Sequence, residues 1–257
     1  MNPFFFGTAD RALYGAYHPP VGRVSDGLGA VLCYPTGVEY MRAHRAFRQL
    51  TTLLTRAGVH VLRFDYYGTG DSAGRSDEAT IGQWRQDVGS AVQELKDMTG
   101  LSRVTVVGLR MGAAVAAQAV LERDDVDHLV LWDPIVRGER YLQELRDEPA
   151  DTWFPSGTDR IGVHGYPMTT THFDEIRTIR LDHLTFPLEL NVDLVCSHES
   201  REFTGLADHL RKRGGGFSQS HVPSDGAWGE INDFGAVLMP QGIIHRIVDR
   251  VAGMGVA

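Results

Sequence analysis

Apolar residues follow one another along this chain in two alternating rhythms. Short, nearly continuous apolar runs at Ala30–Tyr34, Val59–Phe64, Val104–Val107, His128–Trp132 and Val192–Cys196 read as strands buried on both faces. Between them, apolar positions recur at three- and four-residue steps, the spacing of one helix face. Phe47, Leu50, Leu53 and Leu54 form one such stripe, ended by Gly58, and Ile81, Trp84, Val88, Val92 and Leu95 form another. Met111 to Ala117 predicts a short helix of small residues, Glu202 to Arg213 a further helix, and Ile243, Ile244, Ile247, Val248 and Val251 a closing one. Phe4 to Phe6 and Leu13 to His18 read as two opening strands and Phe217 to Val222 as a last strand. Strands that alternate with helices predict an α/β fold: a mostly parallel central sheet with helices on both faces.

The alternation breaks between Trp132 and Val192, a stretch longer than a simple crossover needs. Residues 137–188 are expected to form a mostly helical cap, inserted into a core made of 1–136 and 189–257. The cap is expected above the carboxyl edge of the sheet, where open α/β folds bind ligands. Trp153, Tyr166 and Met168 are its expected apolar contacts with a substrate.

One turn changes the picture. Gly108-Leu109-Arg110-Met111-Gly112 joins a strand directly to the small-residue helix. Glycines at both ends let helix and strand approach closely. The apex residue is an arginine, which stays protonated near pH 7 and is not a nucleophile.

Composition then narrows the classes of function. The chain has 257 residues, 42% hydrophobic and 23% charged, ordinary for one globular domain with a large core. A net charge of −8 argues against a nucleic-acid surface. Cys33 and Cys196 lie in apolar runs and are expected to be buried free thiols. Met1 to Gly7 lacks the pattern of a signal peptide, and no apolar run reaches the roughly 20 residues of a membrane span, so a cytoplasmic location is expected. No cluster has metal-ligand spacing and Gly68-Thr69-Gly70 lacks the lysine of a phosphate loop, so no cofactor is expected.

Asp65-Tyr66-Tyr67-Gly68-Thr69-Gly70-Asp71-Ser72 resembles the Asp-x-x-Gly-x-Gly-x-Ser loop of α/β-hydrolases, and the 108–112 turn resembles their nucleophile elbow, Gly-x-Ser-x-Gly. Together with the element order, the resemblance covers nearly the whole chain. More narrowly, the chain resembles a bacterial subgroup of serine aminopeptidase-like or exosortase-A-system-associated hydrolases, through Asn2 to Gly7, Tyr40 to Leu50, Leu62 to Gly74, Gly108 to Ala113 and Leu131 to Pro134. Members of that subgroup commonly carry arginine at the elbow and occur in natural-product gene clusters. The resemblance implies a catalytic acid after the strand at 192–196, where Glu199 is displaced, with Asp133 as a second position. It implies a histidine in the loop after the last strand, but Ser224 to Glu230 has none, and His221 is expected on the strand itself. Ordinary Ser-His-Asp hydrolysis is therefore not expected.

Two readings of Arg110 stand. In one it plugs a dead site through an internal salt bridge to Glu39, Asp133 or Glu199. In the other, its guanidinium and the backbone N–H groups of the following helix, from Met111 onward, grip a carboxylate, phosphate or sulfate. Pro35-Thr36-Gly37-Val38-Glu39-Tyr40 takes the oxyanion-loop position, so Thr36 and Gly37 are candidate substrate contacts. Glu39 is a candidate base, a partner of Arg110, or a helix cap. Arg42, Arg45 and Arg48 read as a solvated helix face, unless one turns inward to build an anion pocket. Asp65 and Asp71 read as turn residues, Tyr67 and Trp228 as pocket wall, and His164 as a cap residue able to face substrate.

The chain is thus expected to be a cofactor-independent enzyme of bacterial, natural-product-type biosynthesis. It would use Arg110, Glu39 and Asp133 to act noncovalently on an anionic or acylated small molecule by elimination, cyclisation or transfer. Two alternatives remain open at this point: a catalytically silent scaffold for a partner enzyme or carrier protein, and a hydrolase using a water held by Glu39 or Asp133.

Overall fold

The computed structural model describes residues 1–21, 27–146, 153–155, 160–163, 166–224, 228 and 239–253. Eight strands form one sheet in the order β1-β2-β4-β3-β5-β6-β10-β11. The hairpin of β1 (Asn2–Thr8) and β2 (Arg11–His18) joins the edge antiparallel to β4 (His60–Phe64). From β4 onward the pairing is parallel, through β3 (Gly29–Cys33), β5 (Val104–Leu109), β6 (Val126–Trp132), β10 (Asn191–Cys196) and β11 (Phe217–His221). Every residue of β3 and of β5 is buried, which is why these strands read as unbroken apolar runs rather than alternating ones.

Helices cover both faces. On one side α1 (Val38–Arg56) and α7 (Gln241–Gly253) bury Phe47, Leu50, Ile243 and Ile247 against Val61, Val107 and Val130. On the other, α2 (Ile81–Thr99), α3 (Met111–Ala119) and α6 (Arg201–Arg213) bury Trp84, Val88, Ala114 and Leu206. The helix ends carry their own signals. Thr80 accepts the Gln83 N–H at 3.1 Å to start α2, and Ser200 accepts the Phe203 N–H at 3.1 Å to start α6. Gly100 and Gly214 close the same two helices in the left-handed region.

The excursion between β6 and β10 differs from the mostly helical expectation. It holds α4 (Gly138–Arg146) and α5 (Thr170–Thr178), but also a separate antiparallel sheet of β7 (Trp153–Pro155), β8 (Arg160–Val163) and β9 (Tyr166–Thr169). Ala79 O lies 3.0 Å from His172 Nδ1, and Glu175 accepts the Ile81 N–H at 2.6 Å, so α5 is pinned to the start of α2. Met168 packs against the main core. The side chains of Trp153 and Tyr166, and residue His164, lie outside the described residues.

Both cysteines are free and buried. Burial pushes each thiol up to about 12, a hydrogen bond with Tyr66 opposing it at Cys33 and the charge of Asp133 adding to it at Cys196. Thiolate is the reactive form. Iodoacetamide at pH 8 is therefore expected to leave both unmodified in the folded protein and to alkylate both in guanidinium, read by intact mass. Rapid alkylation of the native chain would contradict this burial.

Among the described residues no helix is long and apolar enough to cross a membrane.

Candidate functional site

Arg110 sits at the apex between β5 and α3 with φ 53° and ψ −117°, one of two non-glycine residues with positive φ among those described. Such a conformation costs roughly 1–3 kcal/mol in a non-glycine residue and persists where its surroundings over-determine it. Here they do. The Arg110 N–H donates to Trp132 O at 3.0 Å, and its carbonyl accepts from Ile135 at 3.3 Å and Ala113 at 3.1 Å. The flanking glycines are required by contact. A Cβ on Gly108 would lie 2.6 Å from the Ala113 nitrogen and the Gly112 oxygen, and one on Gly112 would overlap the carbonyl oxygens of Tyr34 and Cys33.

The apex guanidinium is half committed. Arg110 Nε donates to Glu39 Oε1 at 2.9 Å, with side-chain exposures of 19% and 6%. Parallel neighbours β3 and β5 release their chains at the same edge, which brings the first turn of α1, with Glu39, beside the apex. Burial opposes the Arg110 charge most, but Glu39 beside it, together with Tyr141 and Glu144, outweighs that and raises its affinity for the proton. The carboxylate also offsets the repulsion between a guanidinium and the positive end of α3. Tyr141 of α4 presents its ring 5.7 Å from the guanidinium carbon. Among the described residues Nη1 and Nη2 donate to no protein group, and Glu39 Oε2 is buried without a hydrogen bond.

Arg110 and Tyr141 line a cavity of about 230 Å³ with Arg137, Arg140, His198 and Glu202. The other cations there are already paired: Arg137 with Asp182 at 2.7 Å, and Arg140 with Glu144 at 3.1 Å. A second cavity adjoins it, sharing His198, Ser200 and Phe203. In that second cavity Glu199 and His221 approach to 3.7 Å. The displaced acid and the strand histidine thus do meet, but neither lines the cavity at Arg110.

The other expected site residues fall in different places. Asp133, with φ 40°, is 1% exposed; its carboxylate accepts the Ser197 N–H at 2.7 Å and the Trp228 Nε1–H at 3.3 Å, which ties the β6 and β10 ends to the loop at 228. Trp228 is a core residue, edge-on to Trp132 at 5.4 Å, and is corrected from pocket wall to interior. Tyr67 is corrected likewise: its ring lies beneath Arg11 at 4.7 Å, its hydroxyl donates to Glu78 at 3.1 Å, and it does not line the Arg110 cavity. Met111 buries its side chain completely, leaving its backbone N–H at the helix start as its candidate contact. Gly37 is the α1 N-cap with φ 62°, next to half-buried Thr36. Gly37 carries no side-chain cap, so Glu39 serves Arg110 instead of capping α1. Arg45 and Arg48 are exposed, whereas Arg42 leans inward, with Nε and Nη1 buried and unpartnered among the described residues.

The 65–72 loop holds the fold. Asp65 accepts the Tyr40 hydroxyl at 2.9 Å and the Asp71 N–H at 3.0 Å, and its carbonyl accepts the Ser72 hydroxyl at 2.6 Å. Among the described residues no three His, Cys, Asp or Glu side chains gather as a metal site.

A family model described as serine aminopeptidase, S33, matches residues 40–165, which contain Glu39's neighbour Tyr40, the loop and the elbow. Palmitoyl-protein thioesterase ABHD10, mitochondrial, of Homo sapiens is 30% identical over 95 residues, 37% of this chain and 29% of that protein. The match therefore spans less than a third of that relative's length. Among solved structures, Est1E of Butyrivibrio proteoclasticus with bound ferulic acid superposes with TM-score 0.71 at 14% identity over 98% of both chains. Mouse alpha/beta hydrolase domain-containing protein 10 superposes with TM-score 0.61 at 16% identity, over 99% of this chain and 98% of that one. The sheet order, the strained turn between β5 and α3 and these likenesses agree: the chain is an α/β-hydrolase-fold protein.

Proposed function

We propose that this chain is a cofactor-independent enzyme that binds an anionic or acylated substrate noncovalently at Arg110, beneath a cap formed by residues 137–188. The observation that carries it is the half-committed guanidinium: Glu39 fixes Nε, while Nη1 and Nη2 have no protein acceptor among the described residues and Arg110 lines a cavity. A fork held along one edge can offer its other nitrogens to a carboxylate or phosphate with little loss of side-chain entropy. The Met111 N–H, at the start of α3, adds a second donor for the same anion. A relative named as a palmitoyl-protein thioesterase supports an acyl group in the substrate. The apex arginine supplies no nucleophile, so elimination, cyclisation or transfer without an acyl-enzyme fits the site better than serine hydrolysis. Bacterial biosynthesis is the setting that the subgroup resemblance suggests.

A second reading, a silent scaffold for a partner enzyme or carrier protein, is favoured by the depth of the Glu39–Arg110 pair, which resembles a plug. A water-activating hydrolase draws less support, because Glu39 is held by Arg110 and both Asp133 oxygens are taken.

Two experiments test the reading. A fluorophosphonate probe is expected to leave the protein unlabelled; stoichiometric labelling of one serine would reveal a substitute nucleophile and sink it. In the second, butyrate and inorganic phosphate are titrated while the Arg110 Nε–H resonance is followed. A saturable shift is expected, and its absence would leave the plug.

A further inference from the structure

A second cationic site lies away from the elbow, where the β2–β4 edge of the sheet meets α1. Arg63 lies between Leu62 and Phe64 in the buried part of β4, and only 9% of it is exposed. Arginine is almost never so buried without a carboxylate partner. Here no carboxylate oxygen among the described residues lies within 4.0 Å of it. The acceptors that its N–H groups reach among the described residues are all uncharged. Nε and Nη2 lie 3.2 and 3.1 Å from His18 Nε2, Nη1 donates to the Tyr34 hydroxyl at 2.8 Å, and Nη2 reaches the Met1 sulfur at 3.8 Å. Burial, then Arg63 itself, lowers His18 to about 4, so at neutral pH its ring accepts from the guanidinium and adds no charge.

This cation opens on a cavity of about 570 Å³, which Tyr14, Tyr34, Tyr40 and Phe64 line, with exposed Arg48 and His44 at its α1 side. Asp65 and Asp71 line it too, but the Asp65 oxygens are occupied by the Tyr40 hydroxyl and the Asp71 N–H. None of its lining residues lines the Arg110 cavity. We propose that this cavity is a second ligand site, taking an organic anion whose carboxylate or phosphate head pairs with Arg63 and whose uncharged body lies against the tyrosines. A buried guanidinium whose direct partners are all neutral lacks a counter-charge in contact with it, and an oxyanion supplies one. The volume exceeds that of a bare oxyanion, and the aromatic lining suits a planar or apolar body.

The test is calorimetric titration of the full chain with benzoate, phenyl phosphate and, as a neutral control, benzyl alcohol, at matched ionic strength. Saturable binding of at least one anion is expected, with none for benzyl alcohol, and the tighter anion identifies the head group. Arg63→Gln is expected to weaken that binding at least tenfold when proteins with and without it are compared in the Arg110→Lys background, where anion binding at the elbow is already reduced and Glu39 keeps a cationic partner. No saturable binding to the wild type, or binding that survives Arg63→Gln, overturns the proposal. So does the absence of saturable anion binding in the Arg110→Lys protein, which would move the anion to the elbow. Should Arg63→Gln not fold, Arg48→Glu on the exposed rim decides: several-fold weaker binding of the anion supports the site, and unchanged binding overturns it.

Discussion

Arg110→Ala is expected to destabilise the fold by about 3–5 kcal/mol, the usual cost of leaving one member of a buried ion pair alone. At roughly 2–4 °C per kcal/mol for a chain of this size, the melting temperature should fall by about 6–20 °C. The loss comes from Glu39, whose side chain is only 6% exposed and whose Oε2 already lacks a hydrogen bond among the described residues. Glu39→Gln in the same background should restore much of it, because a neutral amide tolerates burial that a lone carboxylate does not. The double-mutant cycle therefore measures the pair. Arg110→Lys separates pairing from recognition. An ammonium can still face Glu39, so stability should change far less than in Arg110→Ala. It cannot keep Glu39 on one edge while offering a planar pair of donors on the other. If Arg110 grips an anion, the butyrate or phosphate affinity should fall roughly tenfold to a hundredfold in the stable lysine variant, the worth of one or two charge-assisted hydrogen bonds. Equal affinity in the lysine variant and the wild type would leave Arg110 as a plug.

The Glu39–Arg110 contact spans 71 residues of sequence, yet the sequence makes it legible. Adjacent parallel strands must deliver their following turns to one edge, and each turn carries a single charged residue of opposite sign. The elbow is legible for a similar reason: only glycine permits the helix-to-strand contact at 108 and 112. What periodicity does not carry is the direction of loops. Tyr67 and Trp228 are large aromatics in loops and read as pocket wall, but both find protein partners, Arg11 and Glu78 for one, Trp132 and Asp133 for the other. Tyr141, Arg137 and Arg140 carry no sequence signal, because their place beside Arg110 depends on how α4 packs after a non-periodic excursion. The small sheet β7–β9 escapes a sequence reading because strands of three or four residues contain too few positions for alternation to register. Arg63 does leave a signal: a cation inside a strand that reads as buried on both faces demands a partner, though the sequence does not say which.

Alanine at two helical glycines should move stability in opposite directions. Gly205 lies in α6, where nothing would stand within 4 Å of an added Cβ, so Gly205→Ala should stabilise by about 0.5–1 kcal/mol through helix propensity alone. Gly112 lies in the first turn of α3, where the same methyl would overlap two carbonyl oxygens at the end of β3. Those atoms are backbone of buried Cys33 and Tyr34, at and just past the end of β3, so they cannot swing away as a flexible side chain would. Overpacking of well-filled interiors costs about 1–3 kcal/mol and occasionally more; Gly112→Ala is expected at or above the top of that range despite its gain in propensity. The consequence extends to the site. Relief requires α3 to withdraw from β3, and α3 carries the Met111 N–H and the strained apex that holds Arg110 beside Glu39. A Gly112→Ala protein that still folds should therefore lose the saturable anion response of the Arg110 Nε–H, whereas Gly205→Ala keeps it. Denaturant midpoints of the two variants give the stability arm. A Gly112→Ala protein as stable as the wild type would mean that helix and strand are not in the close contact on which the elbow geometry depends.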